Sequence, residues 1–63
     1  MTDQEKMIAL FNEFGMEFHI TGTHGTVYIG LESGDAKVDG YIGFQTEFSF
    51  DENGKFIKAF IYE

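Results

Sequence analysis

The sequence predicts an α+β domain: an N-terminal helix packed on a four-stranded antiparallel meander sheet, all within a single domain, residues 1–63. Three observations carry this. Apolar residues recur at helical spacing only near the N-terminus. After Gly15 they alternate with a period of two. The changes of direction fall in short glycine-containing stretches, TGTHG, ESGD and DENGK, with the chemistry of turns.

The helix is read from TDQEKMIALFNEFG. Thr2 and Glu5 have the spacing of a capping box, in which each side chain satisfies the other residue's orphan N–H. Asp3 and Glu5 sit in the first turn, where the helix dipole favours acids. Met7, Leu10, Phe11 and Phe14 form the stripe expected to be buried, and Gly15 is placed to end the helix in a left-handed conformation.

The first strand is read from MEFHI and the second from TVYIGLE. Pairing Ile20 with Val27, Phe18 with Ile29 and Met16 with Leu31 aligns their apolar faces. A tight Ser33-Gly34 turn then sets Leu31 opposite Ala36, Ile29 opposite Val38 and Val27 opposite Gly40. Even-numbered residues continue the core through Ile42, Phe44, Phe48 and Phe50. Residues 36–50 therefore read as one long strand, bent near Gly40 and Gly43.

The last hairpin admits two registers. A type I turn over DENGK with Gly54 left-handed places Phe56, Lys58, Phe60 and Tyr62 on the helix side and sends Ile57 and Ile61 outward beside Tyr41. A four-residue loop instead sets Phe48 opposite Ile57 and Glu47 opposite Lys58, and turns Phe56, Phe60 and Tyr62 outward. Turn chemistry favours the first. In either case one apolar row of the last strand has no cover from this chain. An apolar patch at a sheet edge marks an interface. A homodimer is expected there, with Ile57, Ala59, Ile61 and Tyr41 as interface residues. The plainer alternative is that side chains wrap around the end of the small sheet.

Composition narrows the function. A chain of 63 residues buries only about 60% of the surface its unfolded form exposes. With no cysteine it has neither disulfides nor thiolate metal sites, and His19 and His24 lack zinc-ligand spacing. Eight Phe and three Tyr provide packing area instead. Eleven acids against four lysines and no arginine give a net charge of −7. That is the opposite of a nucleic-acid-binding footprint, and it suits a partner with a basic surface. No apolar run approaches a membrane span and the N-terminus is not a signal peptide, so a cytoplasmic protein is expected.

Two candidate sites emerge. The proposed registers bring His19, Tyr28 and Tyr41 together with Asp39 on the sheet face away from the helix, with Gly30 and Gly43 leaving room for a stacked ring. This could hold a small polar ligand, although packing of Tyr and His across strands is the ordinary reading. An acidic surface is assigned to Glu17, Glu32, Asp35, Asp39 and Glu47, in an arrangement able to imitate a phosphate track. The stretch around ESGDAKVDG lacks the calcium-loop pattern, and GTHG lacks the lysine and helix of a phosphate loop. No nucleophile motif is present and no cofactor is expected.

The closing stretch FSFDENGKFIKAFIYE is similar to the endings of many very small reading frames of bacteriophages and prophages of low-GC bacteria. The resemblance covers the last quarter of the chain. It implies a phage accessory protein that binds and blocks a host component such as a defence enzyme, nuclease or transcription factor. The combined expectation is a small acidic non-enzymatic binding protein, an inhibitor of a host protein. The alternative is a homo-oligomeric sponge for a small ligand or nucleotide.

Overall fold

The helix begins where its cap places it. In the computed structural model, which describes all 63 residues, α1 runs Asp3–Phe14. The Glu5 N–H donates to the Thr2 hydroxyl at 3.1 Å and the Thr2 N–H to the Glu5 carboxylate at 2.8 Å. This reciprocal pair holds the Glu5 carboxyl below its ordinary range. A carboxyl depressed in the folded state contributes stability at neutral pH that is lost as pH falls through its folded pKa. Thr2→Ala is accordingly expected to cost about 1 kcal/mol, lowering Tm by about 4–8 °C at neutral pH. The difference from wild type should shrink in acid below the usual carboxylate range, and thermal melts at both pH values check this. At the other end Gly15 is left-handed at φ 71°, as its position predicts.

Four antiparallel strands follow in sheet order β1-β2-β3-β4. They are β1 His19–Thr23, β2 Thr26–Glu32, β3 Gln45–Phe50 and β4 Phe56–Tyr62. The helix-on-meander architecture is as the sequence predicts. Three details of the sheet differ.

The first hairpin is shifted by two residues. Ile20 faces Ile29 and Gly22 faces Val27, not Ile20 with Val27. The cause is the turn. His24 (φ 50°) and Gly25 (φ 79°) are both left-handed, which makes a two-residue connection and carries the ladder on to Thr23 and Thr26. Because the shift is even, Ile20 still shares a face with Ile29. Met16–Phe18 become the link from the helix, with the Phe18 ring 5.9 Å from Phe11.

The long strand over 36–50 is replaced by a short one. β2 pairs directly with Gln45–Phe50, setting Val27 opposite Phe50, Ile29 opposite Phe48 and Leu31 opposite Thr46. Residues 33–44 form an excursion of turns, closed at its neck by the Ser33 N–H donating to the Phe44 carbonyl at 3.1 Å. Gly40 (φ 149°) and Gly43 (φ 96°) do not bend a strand. They supply positive-φ positions within the excursion, between the end of β2 and the start of β3. Ile42, expected in the core, is 89% exposed. The excursion is tied to the helix C-terminus by Lys37, whose ammonium donates to the Phe14 carbonyl at 2.5 Å.

The last hairpin combines the two registers. Its turn is the bulged one: the Gly54 N–H donates to the Asp51 carbonyl, Gly54 has φ 81°, and Phe50 faces Phe56. The pairing then slips between Ser49 and Phe50, leaving Ile57 as an extra residue on β4. Beyond that slip Ser49 faces Lys58, Phe48 faces Ala59, and Glu47 faces Phe60. One added residue reverses the side-chain alternation. Phe56 therefore stays with Phe50 on the helix side, 5.8 Å away edge to face, while Phe60 and Tyr62 turn to the other face.

The core is thin. Ile29, Leu31 and Phe50 are the buried hydrophobic residues. The helix lays Met7, Ile8 and Phe11 against the sheet, half-buried, with Phe11 6.1 Å from Phe48. Leu10 and Phe14, expected in its buried stripe, are 48% and 54% exposed. The first turn sets this rotation. The Gln4 N–H donates to the Gly54 carbonyl, and the Asp3 carboxylate accepts the Phe56 N–H, each at 2.9 Å. With residues 3 and 4 fixed on the sheet, residues 7, 8 and 11 follow them inward. No helix is long and apolar enough to cross a membrane.

Candidate functional site

The helix covers one face of the sheet and no element covers the other. The molecule measures 32 × 26 × 15 Å, two layers deep. On the open face the register aligns His19, Gly30, Glu47 and Phe60 in one row. The adjacent rows hold Thr21, Tyr28, Ser49 and Lys58 on one side, and Glu32, Gln45 and Tyr62 on the other. Tyr28 and Phe60 approach across β3, with ring centroids 6.3 Å apart. Beneath them Ser49 is 2% exposed, its hydroxyl satisfied by the Lys58 carbonyl at 2.9 Å. The Lys58 ammonium lies 5.1 Å from the Phe60 ring centroid, a cation–π contact within the face.

His19 lies flat across Gly30. A Cβ at Gly30 would stand 2.3 Å from His19 Nε2, so any larger residue expels the imidazole. The opening at Gly30 that the sequence assigns to a ligand ring is thus filled by the chain's own histidine. Tyr62 hydrogen-bonds Glu47, which raises the phenol above its ordinary pKa. A raised phenol pKa stabilises the folded state below the usual tyrosine range, and that contribution is lost as pH rises through the folded value.

The structure therefore keeps part of each predicted site. His19 and Tyr28 do share the open face, on neighbouring strands. Tyr41 does not join them. It lies on the 33–44 excursion, 82% exposed, with its ring 5.9 Å from Phe44, and Asp39 lies beside it in sequence rather than opposite Tyr28. The three-residue ligand face is not assembled. Of the acidic set, Glu32 and Glu47 stand on the open face at diagonal positions of β2 and β3. Asp35 and Asp39 line an open concavity within the excursion together with Lys37. Glu17 lies apart, in the helix-to-β1 link. The predicted acidic surface is thus two patches and an isolated residue.

Of the predicted interface residues, Ala59 and Ile61 lie on the helix-side face of β4 and Ile57 in its bulge, while Tyr41 is in the excursion. Phe60 and Tyr62, which the structure adds to the open face, were legible only in the four-residue-loop register. No family model, curated protein or solved structure matches the chain.

Proposed function

We propose that the protein is a small acidic binding protein, not an enzyme, that docks the open face of its sheet onto a basic surface of a host protein and blocks it. The observation that carries this is the placement of Glu32 and Glu47 among Tyr28, Phe60 and Tyr62 on the face no element covers. Aromatic faces and carboxylates together recognise guanidinium and ammonium groups, the rings through their quadrupoles and the acids by charge. The contact of Lys58 with Phe60 illustrates how a cation sits on these rings. The chain's net charge of −7 with no arginine steers it toward a basic partner. A flat, wet sheet face suits recognition better than catalysis, which needs donors converging in a site that excludes water. The resemblance of the last quarter to the endings of very small phage and prophage reading frames, which implies an accessory protein, is the ground for taking a host protein as the target.

Glu32→Lys combined with Glu47→Lys should weaken association by about tenfold or more at low salt and leave the fold intact. The check is capture from bacterial lysate on immobilised wild type and variant, at low and high salt, with retained proteins identified by mass spectrometry. Asp35→Lys with Asp39→Lys, on the excursion, is the parallel arm and should retain the same partner. If the open-face variant holds the same proteins as wild type, or salt makes no difference, the reading fails.

A further inference from the structure

We infer that β4 is a dimerisation edge, pairing antiparallel with β4 of a second copy about a two-fold axis at Ala59. β4 is an edge strand of seven residues. Apart from its ladder to β3 and the Ser49 hydroxyl, its backbone from Ile57 to Tyr62 bonds to nothing else in the chain. The edge is capped only at its start, where Asp3 accepts the Phe56 N–H. Natural sheets blunt such edges with charge, proline or a covering element, and FIKAFIY has a single lysine.

Three further observations favour a second copy as the occupant. Phe56, Ile57, Ile61 and Tyr62 are 42%, 50%, 73% and 42% exposed, and together they offer roughly 400 Å² per protomer. That is about half of what a standard interface buries on each side, and the strand edge with Lys58, Ala59 and Phe60 can supply the remainder. The accessible surface of 4481 Å² exceeds the roughly 4100 Å² expected for a monomer of 7.2 kDa. Charge is the third. A molecule carrying −7 repels its own copy, but the seven residues of β4 contain no acid and one lysine, so two such edges meet without placing carboxylates against each other.

A two-fold axis at Ala59 has a definite register. It sets Ile57 opposite Ile61 of the partner subunit and Lys58 opposite Phe60 of the partner subunit. The smallest side chain of the strand falls on the axis, where the two copies approach most closely. The two four-stranded sheets become one continuous sheet, with both open acidic faces on the same side. Such a dimer would set Tyr28, Glu32 and Glu47 of both copies on one side of the joined sheet, flanking the seam, yet dimerisation itself requires no partner and is tested without one.

The test is sedimentation equilibrium of the purified chain at high micromolar concentration, with two variants. Wild type is expected at twice 7.2 kDa. Ile61→Glu, at a position already 73% exposed, should give a folded monomer with an unchanged circular dichroism spectrum. The chain has no cysteine, so a single introduced thiol reports one position without interference: Ala59→Cys should form a disulfide-linked dimer on mild oxidation, because residues facing each other across the axis lie within bridging distance. Ile20→Cys on β1, the opposite edge, should not. A monomeric wild type overturns the proposal and leaves the edge for a foreign strand. So does a dimer in which Ala59→Cys fails to cross-link, which would place the contact elsewhere, at Leu10 and Phe14 on the helix for example.

Discussion

Phe50→Ala is expected to abolish the folded state at ambient temperature or to lower Tm by about 15–30 °C, the largest effect of any single truncation. Phe50 and Ile29 are the fully buried large side chains, and Phe50 faces Val27 on one strand and Phe56 on the other. Truncating a buried Phe costs about 3–5 kcal/mol. A domain of 63 residues has a total stability of about 3–9 kcal/mol, so the loss is most of what holds it together. Larger proteins repack around such a gap, but here the remaining buried hydrophobic residues are Ile29 and Leu31. Phe56→Ala, at a ring already 42% exposed, should cost far less. Thermal and urea unfolding of the two variants decide the matter. A Phe50→Ala protein that melts within about 5 °C of wild type would show that the core lies elsewhere.

The elements with local determinants were legible in the sequence. The capping box of Thr2 and Glu5, the Gly15 stop and the left-handed Gly54 turn all appear as read, because each is settled by residues within a few positions of one another. Register was less legible, for a physical reason visible in each hairpin. HisGly supports a two-residue turn in the structure, and that choice moves every pair of the first hairpin by two while leaving each residue on the face its alternation assigns. Even shifts are silent in an alternating pattern. The excursion over 33–44 was illegible because AKVDGYIGF alternates as well as a strand does, whereas the backbone turns back on itself from Ser33 onward, with positive φ at Gly34, Gly40 and Gly43.

The candidate site followed the registers. His19 and Tyr28 share a face as the alternation predicts, since that depends on strand parity and parity survives an even shift of register in β1 and β2. Tyr41 was lost with the long strand. Phe60 and Tyr62 were gained through the extra residue at Ile57, a bulge for which the sequence carries no glycine or other marker. The two apolar rows of β4 meet different fates. On the open face Phe60 packs with Tyr28 over Ser49, while Ile57 in the bulge and Ile61 on the helix side remain wet.

Gly54→Ala should destabilise the protein by about 2–3 kcal/mol and loosen the helix from the sheet, a far larger effect than a surface-turn substitution ordinarily has. Two causes act at one position. Gly54 has φ 81°, where a side chain costs about 1–2 kcal/mol. It is also buried, and an added Cβ would stand 2.7 Å from the Thr2 Cβ and 2.8 Å from its hydroxyl oxygen. Thr2 cannot swing aside without giving up the cap that Glu5 N–H donates into, which is worth about 1 kcal/mol more. The Gly54 carbonyl meanwhile accepts the Gln4 N–H, and Asp3 holds the next strand through Phe56. The turn and the helix start are thus one joint, and the helix has no comparable set of backbone bonds to the strands elsewhere. Hydrogen exchange should show helix amides opening in Gly54→Ala before those of β2 and β3. Gly34→Ala is the control, with a similar φ of 101° but nothing within 4 Å of its added Cβ, and it should show the backbone cost alone. Equal losses in the two variants would remove the helix-docking role assigned to Gly54.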